Sequence, residues 1–150
     1  MKKTMPALLA PRPSEVLGMQ VGPAGIDGLS TLAAAGQEPG LLTDSSAAFL
    51  AARQSSNGSW EESNTIARTP MADATITKTV YALPAMQLYA FPSRKAEMDG
   101  RVANARDWLS HAKPRTSYER AEVLMGLGWA AADTASLQKA AATLGGNWPD

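Results

Sequence analysis

The chain has 150 residues, of which 45% are hydrophobic and 19% charged, a composition typical of one globular domain with a buried core. Lysine plus arginine equals aspartate plus glutamate, at 14 each, so charge gives no indication of nucleic-acid binding. The absence of cysteine excludes disulfides, thiolate-bound metals and cysteine nucleophiles within this chain.

The N-terminal residues predict an extended arm over residues 1–13, because Pro6, Pro11 and Pro13 oppose a regular helix. Two lysines and a short apolar run imitate the start of a secretory signal, but the run is too short and is broken by proline. No stretch approaches the about 18 apolar residues of a membrane span. We expect a cytoplasmic protein with no membrane span and a single domain over residues 14–150.

The first half of that domain predicts helices in succession. A short helix begins at Ser14, and a second run, GIDGLSTLAAAG, ends at Gly36 as a C-terminal cap would. The stretch ADATITKTVYALPAMQLYAF is rich in β-branched residues, which alone suggest a strand, but its apolar residues follow helical spacing. We therefore predict a helix there, capped by Asp73 and kinked or divided at Pro84.

The second half predicts three more helices. One covers residues 96–111 and buries Val102, Ala105, Trp108 and Leu109. Thr116, followed three residues later by Glu119, predicts a capping box at the start of the next helix. TASLQKAAATL forms the last helix before a Gly-Gly stop. The fold class predicted is all-α, with about six helices in antiparallel pairs.

The most informative stretch is TDSSAAFLAARQSSNGSW, residues 43–60. Thr43 or Asp44 can cap a short helix, whose apolar stripe is formed by Ala47, Phe49, Leu50 and Ala51. Gln54 lies where the last helical carbonyls need donors, and its amide can serve them. Asn57-Gly58 favours a sharp reversal, after which Trp60 can fold back over the helix end. An ordinary helix end with a surface tryptophan is the alternative interpretation.

The spacing of five of these residues resembles the QW motif of the α/α toroids formed by terpene cyclases and prenyltransferase-like proteins, such as the squalene–hopene cyclases: Phe49, Leu50, Gln54, Gly58 and Trp60. That motif begins with a basic and a small residue, where this chain has Ser45 and Ser46. The resemblance covers most of residues 24–148 and is close only over 43–60. It implies structural roles: the glutamine closes helix ends, and the tryptophan beside it ties neighbouring helix pairs together.

Weaker copies of the motif follow. In the second copy, Trp108-Leu109 takes the place of Phe49-Leu50, and Lys113 takes the place of Gln54. The third copy, KAAATLGGNW, is shortened and ends at Trp148. Three helix pairs are about half of what the toroids use to close. The resemblance therefore implies a partial α/α toroid, which we expect to form a homodimer or to belong to a larger toroid.

The enzymes of that superfamily have chemical signatures that this chain lacks. The acidic motif of the cyclases is reduced to Asp73 alone, and the zinc set of the prenyltransferases needs a cysteine and a histidine. His111, the single histidine, lies in the last turn of a predicted helix, where a solvated or capping role is typical. We expect no catalytic residue, no metal and no cofactor.

Large apolar and aromatic side chains are the candidates for binding an apolar, isoprenoid or lipid-like ligand: Tyr81, Met86, Tyr89, Trp108 and Trp129. At these spacings such side chains are more often part of a plain core. The function predicted is a non-catalytic helical module that binds an apolar small molecule or a partner protein on its concave face. The alternatives are a fragment of a cyclase-like enzyme whose acid lies outside this chain, and a structural scaffold without a ligand.

Overall fold

The protein is described by a computed structural model over residues 23–61, 75–89 and 91–145. All regular structure in these residues is helical, which confirms the predicted all-α fold. A 3-10 turn at Pro92–Arg94 accompanies six helices: α1 (Pro23–Ala34), α2 (Leu41–Ala52), α3 (Thr75–Leu88), α4 (Lys95–His111), α5 (Ser117–Trp129) and α6 (Thr134–Leu144). The predicted arm, the helix from Ser14, the cap at Asp73 and Trp148 lie outside the described residues.

The helix ends follow the local signals of the sequence. Gly36, with φ +71°, closes α1: its N–H bonds the carbonyl of Ala33 at 3.1 Å, and that of Gln37 bonds Leu32 at 3.0 Å. At the start of α5, Glu119 N–H donates to the Thr116 hydroxyl at 3.1 Å, and Thr116 N–H donates back to the Glu119 carboxylate at 3.3 Å. Both predicted caps are confirmed.

Proline 84 lies inside α3 without dividing it, so the helix runs continuously from Thr75 to Leu88. It ends three residues before the predicted end at Phe91, ahead of the 3-10 turn that begins at Pro92. Since proline fixes φ and removes a donor, it favours such a turn over a continuing helix. Because Thr75–Leu88 is helical, the strand interpretation of this stretch is excluded.

Helices α1, α3 and α5 form a row in which all three run in the same direction. Ser30 on α1 donates to the carbonyl of Tyr81. Further along the chain on both sides, Tyr89 donates to the carbonyl of Gln37 at 3.1 Å. Between α3 and α5, Thr77 bonds Glu122 at 2.7 Å, and Gln87 bonds the carbonyl of Trp129 at 2.6 Å. Partners that advance together along both helices require a parallel arrangement.

Helix α4 runs against this row. Its Arg106 donates to the carbonyl of Ala130 at 3.4 Å, whereas Leu109, further along α4, lies beside Gly126, which is earlier in α5. Helix α3 is central, with its most extensive packing against α1 and α5 and further packing against α4. Helix α4 is therefore antiparallel to α3 and α5.

The core lies between the row and α4. Its largest fully buried side chains come from α2, α3, α4 and α5 and from the residues that follow α2 and α3: Trp60, Tyr89, Leu50, Leu83, Met86, Met98, Leu109 and Leu127 among them. Gly126 brings α5 close to its neighbours, because a Cβ atom there would lie 2.7 Å from Val80 Cγ2 and 2.9 Å from Leu109 Cδ1. Of the four residues predicted inward on α4, Val102, Ala105 and Leu109 are buried, and Trp108 is half-buried. None of the helices described here has the length and apolarity to cross a bilayer.

Candidate functional site

The loop after α2 is a tight turn packed against α4. The backbone N–H groups of Arg53 and Gln54 bond the carbonyls of Leu50 and Ala51 at 3.0 and 3.1 Å, which closes the helix. Gly58 then adopts φ +95°, and a Cβ atom on it would lie 2.4 Å from the carbonyl oxygen of Asn104. Glycine is therefore required twice over, by the backbone conformation and by the contact with α4.

Gln54 joins this turn to α4. Its Nε2 donates to the carbonyls of Gly58 and Arg101, both at 2.9 Å, and its Oε1 lies 3.5 Å from the Arg101 guanidinium. The expectation that the amide would serve the last carbonyls of α2 is wrong. The carbonyls of Leu50 and Ala51 already accept backbone N–H groups, so the side chain reaches beyond its own helix.

Trp60 joins the same stretch to α3. Only 2% of it is exposed, and its indole Nε1 donates to the carbonyl of Leu50 at 2.8 Å, so it folds back over the helix end as predicted. Its backbone N–H donates at 3.1 Å to the hydroxyl of Thr79, which in turn bonds the carbonyl of Thr75. Gln54 and Trp60 together attach α2 to both helices of the next pair.

Two details of this stretch differ from the prediction. Helix α2 begins at Leu41 after Gly40, so Thr43 lies in the first turn rather than at the cap, and its hydroxyl accepts from the N–H of Gly40 at 2.9 Å. Phe49 is only half-buried, and the guanidinium of Arg53 lies 5.9 Å from its ring centre. The apolar face of α2 is instead formed by Ala47, Leu50 and Ala51.

The residues predicted to bind an apolar ligand lie in three different places. Met86 and Tyr89 are fully buried in the core, where burial raises the pKa of the Tyr89 phenol. Trp108 is half-buried on α4. The structure brings together only Tyr81 and Trp129, whose rings meet edge to face with centres 6.4 Å apart. A ligand-binding role for these side chains stays a prediction.

Sequence reasoning missed Glu122, a buried carboxyl on α5. Its residue is 3% exposed; Oε2 accepts from the Thr77 hydroxyl at 2.7 Å, and Oε1 has no hydrogen-bond partner. Burial raises the pKa of this carboxyl, against the lowering effects of Thr77 and Tyr118. A signal was present in the sequence, because Glu122 falls four residues before Gly126 on the buried face of α5.

Tyr118, one turn before Glu122 on α5, adds a second phenol to the cluster. Burial raises the pKa of Tyr118, and the Glu122 carboxyl and the Tyr81 phenol raise it further. The side chain is nevertheless 41% exposed at the surface of the helix. We define the α3/α5 cluster as Thr77, Tyr81, Tyr118, Glu122 and Trp129. It combines one buried carboxyl with three aromatic rings.

Exposed aliphatic and aromatic side chains continue from this cluster along the row. Leu32, Leu88 and Trp129 lie in the C-terminal parts of α1, α3 and α5, with exposed fractions of 40%, 40% and 38%. Because the three helices run in parallel, these residues lie towards one end of the row. We call this group the row-end patch.

The described residues contain no group of three or more histidine or carboxylate side chains that could hold a metal ion. His111, the last residue of α4, is exposed, and its Nδ1 lies 2.8 Å from the carbonyl of Asp107. Comparison with known proteins found no matching family model, no matching curated protein and no matching solved structure.

Proposed function

We propose that this protein is a non-catalytic helical-repeat module that binds an apolar ligand or a partner protein on the face of α1, α3 and α5. The observation that carries the proposal is the row-end patch, because Leu32, Leu88 and Trp129 remain exposed although a core is available. Exposed apolar side chains that gather at one end of a molecule are candidates for an interaction site. An isoprenoid or lipid-like molecule is the ligand class that such side chains suit.

Stacked helix pairs also support the partial α/α toroid that the sequence resembles. The parallel row would correspond to its inner helices and the antiparallel α4 to an outer one. Gln54 and Trp60 make the kind of link between successive pairs that the QW motif implies. A partial ring would leave its ends open, and we therefore propose a homodimer or a larger assembly. Light scattering tests this, and a strict monomer at high concentration would contradict it.

The binding proposal is tested by calorimetric titration of the protein with farnesol and with lauric acid. Leu88→Asp introduces a charge into the row-end patch and should weaken binding at least about tenfold, since burying an unpaired carboxylate costs more than about 1.4 kcal/mol. Leu41→Asp is the matched control, because Leu41 is 76% exposed on α2, outside the row. No binding of either compound, or equal loss in both variants, would contradict the proposal.

A second candidate is a fragment of a cyclase-like enzyme, and Glu122 is the observation that favours it. A buried carboxyl with a raised pKa keeps its proton at higher pH, as a general acid must. Incubation with squalene or a prenyl diphosphate, followed by mass spectrometry of the products, tests this candidate. Turnover that disappears in Glu122→Gln would favour the enzyme over the binding module.

A further inference from the structure

Glu122 is a buried carboxyl for which the described part of the chain supplies no cationic partner. Among the described residues, no basic side chain forms an ion pair with it, and its Oε1 has no hydrogen-bond donor. The groups that affect its pKa are Thr77 from α3 and Tyr118 and Glu119 from its own helix, and in the described part of the chain none of these is a cation. A buried carboxyl that lacks a partner costs folding free energy, and a ligand that pairs with it recovers part of that cost.

This carboxyl is connected to an aromatic pair through Tyr118. The Tyr118 phenol interacts with both the Glu122 carboxyl and the Tyr81 phenol. Tyr81 in turn meets Trp129 edge to face, with ring centres 6.4 Å apart and an interplanar angle of 61°. Aromatic faces attract ammonium groups through their quadrupoles, and a neighbouring carboxylate adds a full negative charge.

We propose that the α3/α5 cluster binds an ammonium group, and that the ligand is a cationic amphiphile whose apolar chain lies on the row-end patch. The inference deepens the proposed function and rests on it, because the same face receives the apolar chain. Trp129 belongs to both groups of residues and therefore connects the head-group site with the chain site.

Access to the carboxyl requires movement of Tyr118, whose side chain is 41% exposed and lies in the first turn of α5. Rotations of exposed side chains are fast, on the order of picoseconds to nanoseconds. In the proposed complex the ammonium group lies next to Oε1, and the apolar chain extends towards Trp129.

The probe for this inference is decyltrimethylammonium, compared by calorimetry with decyl glucoside, which has the same chain and no charge. Both are used below their micelle-forming concentrations at pH 8. The ammonium compound should bind at least about tenfold more tightly, since a desolvated cation–π contact is worth about 2 kcal/mol. Glu122→Gln should remove this advantage and leave decyl glucoside unaffected, and Trp129→Ala should weaken both.

Asp107→Asn is the matched control, because the Asp107 side chain is 81% exposed on α4, away from the cluster. It should change neither affinity. Circular dichroism verifies that each variant remains helical.

Binding of the ammonium compound should also weaken as the pH falls through the raised pKa of Glu122, whereas binding of the glucoside should not change. Equal affinity for both amphiphiles, or an ammonium affinity unaffected by Glu122→Gln, would overturn the inference and leave the proposed function standing. Failure of both amphiphiles to bind would count against both proposals.

Discussion

At the scale of single residues, the interactions of Gln54 illustrate how one polar side chain can organise a junction. Two carbonyl groups, those of Gly58 and Arg101, accept hydrogen bonds from its amide. One belongs to the turn and the other to α4, so the amide holds two backbone segments that are far apart in sequence. Leaving partly buried carbonyls unpaired costs more free energy than making the bonds gains.

Replacing Gln54 with alanine should therefore lower the free energy of unfolding by about 2 kcal/mol, through the loss of two partly buried hydrogen bonds. Urea denaturation followed by circular dichroism measures the change. Gln138→Ala on α6 is the control: Gln138 is exposed, and the change should be within about 0.5 kcal/mol. Equal effects of the two substitutions would show that the amide of Gln54 contributes little to stability.

Glu122 predicts a dependence of stability on pH. Its raised pKa means that the folded state favours the neutral acid, so its stabilising contribution is present below the pKa of the unfolded chain and is lost as pH rises through the folded pKa. Glu122→Gln removes this loss. We expect the melting temperature of the variant, relative to the parent, to increase from pH 4 to pH 8.

The control for this prediction is Glu97→Gln, which should show the opposite sign. Hydrogen bonds from Arg94 and Arg101 lower the pKa of Glu97 to about 2, so its contribution is present above the unfolded pKa and fades as pH falls towards 2. The melting temperature of this variant should be below that of the parent at pH 7. If the difference in melting temperature between Glu122→Gln and the parent did not change with pH, the raised pKa of Glu122 would be contradicted.

The residue scale also shows what the sequence could reveal. Gln54, Gly58 and Trp60 follow α2 within a few residues of one another. The turn at Gly58 and the burial of the Trp60 indole could therefore be predicted from spacing alone. The partner of Glu122 is Thr77, 45 residues earlier in the chain. Side-chain pairs at that separation depend on how helices pack, which no local pattern specifies.

At the scale of elements, the positions of helix ends could be predicted from the sequence, but the contacts between helices could not. Gly36 and Thr116 act within one turn of their own backbone, which is why both caps could be read from the sequence. The close approach of α5 to α3 at Gly126, by contrast, depends on Val80 in another helix. The parallel row therefore emerged only from the contacts between helices.

Gly58→Ala tests the junction between the turn and α4. The substitution combines a positive φ with a Cβ atom 2.4 Å from the Asn104 oxygen, so we expect a loss of about 3 kcal/mol or more in the free energy of unfolding. Gly36→Ala is the matched control, since it has a positive φ and no heavy atom within 4 Å of the added carbon. It should cost about 1–2 kcal/mol. Equal losses would exclude a contribution from the contact with α4.

At the scale of the whole molecule, the helix pairs are joined unequally. The first pair is attached to the second by the turn after α2, through bonds from Gln54 to α4 and from Trp60 to α3. Helix α6 packs chiefly on α5, and most of its residues are exposed. Local stability should follow the number of partners that each helix has.

Hydrogen exchange measured by mass spectrometry should show this inequality. We expect the amides of α6 to exchange at a lower opening free energy than those of α2 and α3. Gln54→Ala should lower protection in α2 and α4 while leaving α6 unchanged. Uniform protection across all six helices would contradict this expectation.

The short turn after α2 therefore has a consequence for evolution and engineering. In a simple array of repeats, one unit can be removed or duplicated because each touches only the next through a common surface. Here a single loop of a few residues anchors itself in two later helices, at Thr79 and at Arg101. Shortening or copying the chain at this point would break both anchors.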